Sequence, residues 1–395
     1  MAGRSFLRVV GLLAVAVLLI SGCRLEDRVT YLASDELNGR ENDTPGGIAA
    51  REFIIDELVA AGVPGALPGE GDAAYTQPFV GTLFGEPVPG VNVLGKIEGT
   101  VRPDEYVVVG AHYDGFAGCQ VTPADQICNA ATDNATSVGI VLGLAERYAQ
   151  TPPHRSIIFA LWDAEEDYMR GSEHFVKNPI VPLADIVAYI NFDIQGIRLL
   201  PSLATTTFAL GAETGGPDLA AAVDTAYEWS VLDGIRLSSA FGAERSDHYW
   251  FLSRQVPSVF FTDSSGPCYH QAGDDISVVD WTKLRGQLNA AHLTVSSLVF
   301  GSASGEFLEP AWTAAPTMVF ADAVGFFTAL DRALADLDRF PPATQNTMLA
   351  HHATLSAIVD AGPGAFDGAA QTAVVQAASY LVTALTYGAC EGFLN

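Results

Sequence analysis

Tyr106-Val107-Val108-Val109-Gly110-Ala111-His112-Tyr113-Asp114 is the stretch that decides the fold. Its first six residues, Tyr106–Ala111, are apolar or small and rich in strand formers, and they predict a strand. That strand runs without a break into a histidine and an aspartate. On either side of it, strands and helices alternate. Val91–Ile97 predicts a strand before it, and Ser137–Ala149 a helix after it. Ser156–Trp162, Ile186–Phe192 and Ser258–Thr262 predict further strands. Helices are expected at Tyr168–Val176, Pro217–Trp229 and Trp281–Val299. Such alternation argues for an α/β domain, with a mostly parallel central sheet flanked by helices.

Further out, Asn42-Asp43-Thr44-Pro45 is a helix start. Ala49, Ala50, Phe53, Ile54, Leu58 and Val59 then recur at helical spacing until Gly62 stops the run. Residues 63–90 are rich in Gly and Pro and read as a long loop. Residues 302–315 are small, contain Pro and lack a period, and so read as a linker. Met318–Leu337, Thr344–Val359 and Ala370–Leu385 predict three Ala-rich helices. The expected organisation is a core over residues 23–303 and a C-terminal helical extension over 304–395.

The chain has 395 residues, 49% hydrophobic and 17% charged. That composition excludes an intrinsically disordered protein, which needs low hydrophobicity and dense charge. The net charge of -26 excludes a nucleic-acid partner, whose binding needs a basic footprint. At the N-terminus, Arg4 and Arg8 precede the apolar run Val9–Ile20. About twenty residues are needed to span a bilayer, so this shorter run fits a signal peptide over residues 1–22. Ile20-Ser21-Gly22-Cys23 resembles a bacterial lipobox. The resemblance implies cleavage before Cys23, lipid on its thiol, and a domain exported to the bacterial cell envelope and tethered to the lipid bilayer. Outside the cytoplasm the other four cysteines read most simply as two disulfides. Cys119 with Cys128 would close a short loop, which leaves Cys268 with Cys390.

In open α/β sheets ligands bind outside the carboxyl ends of the strands. Here those ends carry His112 and Asp114, then Glu165 and Glu166, and then Asp193. Asp133 opens the helix after the first of these strands, and His270 lies in the loop after the last. Each residue alone reads as a loop or capping group, but all of them fall at one edge of the sheet. Mixed imidazole and carboxylate ligation suits zinc, and two such ions form a hydrolytic site.

With these segments in view, the chain resembles the co-catalytic di-zinc aminopeptidases, the zinc-exopeptidase family of bacterial leucyl aminopeptidase. The motifs are Gly110-Ala111-His112-Tyr113-Asp114, Ala131-Thr132-Asp133-Asn134-Ala135 and Ala164-Glu165-Glu166, followed by Arg170-Gly171-Ser172. Asn191-Phe192-Asp193, Ser246-Asp247-His248, Tyr269-His270 and Asp274-Asp275 continue the match. Leu32-Ala33-Ser34-Asp35-Glu36-Leu37-Asn38-Gly39-Arg40 is similar to the family's N-terminal segment. The resemblance covers about residues 29–303.

It implies two Zn²⁺ ions, one held by His112, Asp133 and Asp193 and the other by Asp133, Glu166 and His270. It further implies Glu165 as general base, Asp114 as the carboxylate that orients the His112 ring, and a cis Asp133–Asn134 bond. Ser246, Asp247 and His248 match a segment near the site without a catalytic role. The loop Gly115–Asn129, with Cys119 and Cys128, is extra to the motif. The activity implied is that of an aminopeptidase acting on peptides with a free N-terminus. A carboxypeptidase or dipeptidase on the same fold is the alternative, as is a binding lipoprotein without catalysis. The full ligand set counts against the last, and against a one-zinc glutaminyl cyclase. No Gly-x-Ser-x-Gly elbow is present to support a serine hydrolase.

Overall fold

The computed structural model describes residues 24–302, 304–313, 317–386 and 390. The expected signal peptide (1–22) and Cys23 lie outside the described residues. Strand β3 (Arg102–His112) is the longer form of the predicted strand and lies near the middle of an eight-stranded sheet. The other strands are β1 (Thr76–Leu83), β2 (Glu86–Ile97), β4 (Arg155–Trp162), β5 (Ile186–Phe192), β6 (Thr206–Leu210), β7 (Asp233–Leu237) and β8 (Ser258–Thr262). The order across the sheet is β1-β2-β4-β3-β5-β8-β6-β7. The central run β4-β3-β5-β8 is parallel. Antiparallel pairs enter on both sides, at β2 with β4 and at β6 with β8. The sheet is therefore mixed around a parallel centre.

Two departures from the sequence reading concern the sheet's margins. The stretch read as a long loop contains β1 and the start of β2, which pair as a hairpin from Thr76↔Val93 to Leu83↔Glu86. Its two turn residues, Phe84 and Gly85, both have positive φ, as a tight two-residue hairpin turn requires. The prolines and glycines that suggested a loop are tolerated because β1 is an edge strand and the start of β2 pairs with β1 alone. Strands β6 and β7 were also not anticipated. Each has only five residues, and both lie towards the other edge, where a short period is weak evidence.

The helices are α1 (residues 24–32), α2 (Pro45–Ala61), α3 (Thr136–Gln150), α4 (Arg170–Lys177), α5 (Gly216–Glu228), α6 (His248–Leu252) and α7 (Trp281–Val299). The extension supplies α8 (Phe320–Ala333), α9 (Pro342–Ala361) and α10 (Gly368–Thr386). Helix α2 starts as expected: Thr44 Oγ1 accepts from Gly47 N–H, Pro45 follows, and Gly62 closes the helix at φ 79°.

Alternation along the strands divides the core. Val107, Val109 and Ala111 face a core built with α1, α2, α3, α5 and α7. Val108 faces the opposite side, with Trp162, Phe175, Tyr189 and Phe251. Next to that second core, Phe208, Leu210, Leu237 and Phe260 bury against Leu330 of α8, Met348 of α9 and Leu381 of α10. The helical extension thus shares a hydrophobic core with the β6–β8 side of the sheet.

Candidate metal centre

Parallel register assembles the site. His112 pairs with Trp162, so the ends of β3 and β4 lie side by side, and β5 ends beside them at Phe192 before Asp193. Gly110 permits this closeness, because a Cβ there would meet Trp162 Nε1 at 2.8 Å and the Tyr189 hydroxyl at 2.9 Å. Asp133 lies in the tight turn Ala131–Ala135 that enters α3, and its bond to Asn134 is cis.

The seven residues singled out in the sequence come together at this rim. His112 Nε2 is 3.3 Å from Asp133 Oδ1 and 3.4 Å from Asp193 Oδ1. His270 Nε2 is 3.4 Å from Asp133 Oδ2 and 3.3 Å from Glu166 Oε2. One oxygen of Asp133 therefore faces each histidine. Within each triplet the candidate ligand atoms lie within 4.8 Å of one another. Glu165 belongs to neither triplet, yet its Oε2 is 4.0 Å from His112 Nε2. The donor set fits a metal. His112 Nε2, His270 Nε2, Asp193 Oδ1 and Glu166 Oε1 are buried, close together and without a properly aligned hydrogen bond. Buried polar atoms are otherwise almost always paired.

Electrostatics give the same picture. Burial opposes a charge on His112, but the Asp193 carboxylate and contacts with Asp114, Asp133 and Asp193 outweigh it and raise its pKa well above the usual value. Burial also opposes a charged His270, and its contacts with Asp133 and Glu166 raise it to about 10. Burial pushes Asp133 up, but the two histidines overcome this and hold it well below the usual carboxylate range. Glu165 is driven well up by burial, and Glu166 rises to about 7 through burial and the charge of Asp133. Positive charge is what this cluster needs, and a metal competes with protons for the same atoms.

The surrounding residues fix the ligands. Asp114 Oδ1 is 3.4 Å from His112 Nδ1, and the Asp114 carbonyl is 3.2 Å from that nitrogen. The same Asp114 carboxylate accepts the backbone N–H of Glu165 and of Glu166, both at 3.1 Å. It therefore ties the glutamate turn to the histidine strand. Asp274 accepts from Thr132 N–H, Thr132 Oγ1 and Asp133 N–H, and so anchors the Asp133 turn.

Ser246, to which the sequence gave no role, has one here. Its hydroxyl accepts from Asn191 Nδ2 at 2.8 Å and donates to the Asp193 carboxylate. Asp247 is buried and accepts from Ser172 Oγ at 2.5 Å, and His248 is buried against Phe260. Neither Asp247 nor His248 is in the metal triplets.

Both expected disulfides are formed, Cys119–Cys128 and Cys268–Cys390. The first lies within the loop Gly115–Asn129, whose Phe116 packs on the His270 ring, at 4.3 Å between centroids, and whose Gln120 N–H donates to the His270 carbonyl. The loop extra to the motif thus steadies the most exposed candidate ligand, whose side chain is 29% accessible.

A cavity of ≈ 420 Å³ opens from this rim. Asp133, Glu165, Glu166 and Asp193 line one end, and apolar side chains line the other.

Comparison with known proteins agrees with this geometry. The model of peptidase family M28 matches residues 92–294. The aminopeptidase NAALADL1 of Mus musculus is 40% identical over 105 residues, which is 26% of this chain and 13% of that protein. The probable glutamate carboxypeptidase LAMP1 of Arabidopsis thaliana is 28% identical over 302 residues, 71% of this chain and 41% of that protein. The chain matches less than half the length of either relative. In fold it is similar to the crystal structure of a Zn-dependent exopeptidase from Parabacteroides distasonis. The TM-score is 0.56 at 18% identity, covering 71% of this chain and 98% of that one.

Proposed function

The chain belongs to peptidase family M28, and from that premise we propose that it is a zinc-dependent aminopeptidase that removes N-terminal residues from peptides. The observation that carries the reading is the pair of triplets sharing Asp133, with Glu165 beside them but outside both. His112, Asp133 and Asp193 would hold one zinc, and Asp133, Glu166 and His270 the other. When bound, two such ions supply Lewis acidity, lowering the pKa of water and polarising a carbonyl. Glu165 takes the proton of the attacking water and returns it to the leaving amine, the usual double duty of a general base. Asp114 and Ser246 keep His112 and Asp193 in place through the contacts described above. The acidic end of the cavity favours the positive charge of a free α-amino group.

A panel of aminoacyl chromogenic substrates, with N-acetylated versions beside them, tests this. Free-amine substrates should turn over and acetylated ones should not, and chelation should abolish turnover. One observation favours a second reading, an exopeptidase that reads the C-terminal carboxylate. Arg245 lines the cavity, and its guanidinium makes no ion pair among the described residues. Turnover of acetylated peptides that requires a free carboxylate would establish that reading in place of the first.

The site of action is proposed from residues 1–23. The protein is exported to the bacterial cell envelope and held on the bilayer by lipid at Cys23, because the short apolar run ends in a lipobox. Among the described residues no helix is long and apolar enough to cross a membrane. A Cys23→Ser variant should therefore move from the membrane to the soluble fraction. Retention on membranes after detergent-free washing would overturn the anchor.

A further inference from the structure

The cavity at the metal rim is unusual in who builds its far end. Its acidic end comes from the α/β core, through Asp133, Glu165, Glu166 and Asp193. Its apolar end is lined on one side by the sheet, through residues such as Phe208 and Phe260. The other side is the helical extension, with Phe326 and Leu330 from α8 and Leu381 and Leu385 from α10. These helices lie far along the chain from every catalytic motif, and no part of the chemistry requires them. Their apolar faces are nevertheless spent on this chamber and on the core around it. The Cys268–Cys390 disulfide fastens the chain beyond α10 to the loop that carries Tyr269 and His270. The wall is thus clipped to the rim.

We infer that the C-terminal helical extension is the specificity element of the enzyme, and that the chamber it completes takes the large apolar side chain of the substrate's N-terminal residue. The inference rests on the aminopeptidase reading. A cavity with an acidic end and an apolar end matches an amino-terminal residue, which carries an ammonium group and a side chain on one carbon. At ≈ 420 Å³ the chamber is well within the range of ligand pockets, roughly 300–1,000 Å³. An apolar wall gains by the area it removes from water, so Phe, Leu and Met should be preferred to Ala. A Lys side chain would lose hydration against that apolar wall without a partner, so Lys should be rejected.

The test fills the chamber from the extension alone. Ala378 lines it from α10 and is buried, so Ala378→Phe places a ring in the space. Ser379, on the same helix, lines its rim and is exposed, so Ser379→Trp narrows the entry at little risk to folding. The full-length zinc-loaded protein is assayed with Phe, Leu and Ala aminoacyl substrates. Wild type should favour Phe and Leu over Ala. In both variants the ratio of kcat/KM for Phe to that for Ala should fall roughly 10–200-fold, mainly through KM. An unchanged ratio in a folded, zinc-loaded Ser379→Trp protein would overturn the role of the extension while leaving the aminopeptidase reading intact. A wild type that hydrolyses none of the free-amine substrates would overturn that reading, and the inference with it.

Discussion

Glu165→Ala should keep its zinc and lose nearly all its activity, whereas its neighbour Glu166→Ala should lose zinc. The two residues are adjacent and equally accessible, so a purely local account would treat them alike. Their geometry separates them. Glu166 Oε2 lies 3.3 Å from His270 Nε2 and completes a triplet with Asp133. Removing it leaves that ion with two ligands from the chain, and zinc content after dialysis should drop. Glu165 completes no triplet, yet reaches the same space. Its loss should lower kcat by the ~10²–10⁴-fold typical of general acid–base catalysis, with zinc content unchanged. Both backbone N–H groups are held by Asp114, so neither substitution removes the hydrogen bonds that shape the turn. Metal analysis and kcat on the two variants decide the matter. Zinc lost from Glu165→Ala and kept by Glu166→Ala would invert the roles. Near-native activity in both would remove the site from this rim altogether.

What could be read in advance follows from where information lies along the chain. The central strands were legible because each is a continuous apolar run bounded by polar residues. Burial on both faces demands such a run, and β4 is buried at all eight positions. The hairpin β1–β2 was not legible, because the edge strand β1 is free to carry Pro78 and Gly81, and the start of β2, which pairs with β1 alone, to carry Pro87 and Pro89, all of which locally say loop. The candidate metal ligands were legible for a topological reason. Parallel strands all end on one side, so residues that follow them must converge, whatever their separation in sequence.

Two other parts of the site have no local signal. The chamber wall is one, because Phe326 and Leu381 are ordinary apolar residues of amphipathic helices until α8 and α10 dock on the sheet. Ser246 is the other. Its effect on Asp193 depends on an oxygen-to-oxygen contact between segments more than fifty residues apart.

Arg40→Met should be the most destabilising single change of a charged residue, and it should also weaken metal binding. An arginine after Asn38-Gly39 reads locally as a solvated turn residue, yet Arg40 is fully buried and sits at φ 47°. Its guanidinium has no carboxylate in direct contact. Instead it donates to four main-chain carbonyls: Tyr113 (2.8 Å), Leu32 (2.9 Å), Asn129 (2.6 Å) and Ala130 (2.6 Å). Burial disfavours its charge, while the charges of Asp274, Asp114, Asp133 and Glu166 favour it. Arg40 is thus a fixed positive charge behind the acidic rim of candidate ligands.

Methionine would keep much of the stem's volume and none of the donors. Each orphaned buried carbonyl costs about 1–3 kcal/mol, and partial relaxation would bring the total to about 3–5 kcal/mol, as for other broken buried ionic contacts. For a chain of this size that is a fall in Tm of roughly 5 °C. By contrast Arg236→Met, which breaks the exposed pair with Asp224, should fall within about 1 kcal/mol of the parent. The metal effect has a separate cause. Tyr113 follows His112, and Asn129 and Ala130 lead into the Asp133 turn, so Arg40 splices the two segments whose ligands must meet. Zinc affinity, measured by chelator competition at a temperature where the variant is fully folded, should drop about 10–100-fold, the range for supporting residues of a metal site. Melting within 2 °C of the parent would show that water replaces the guanidinium. Destabilisation with unchanged zinc affinity would show that Arg40 holds the fold but not the ligands.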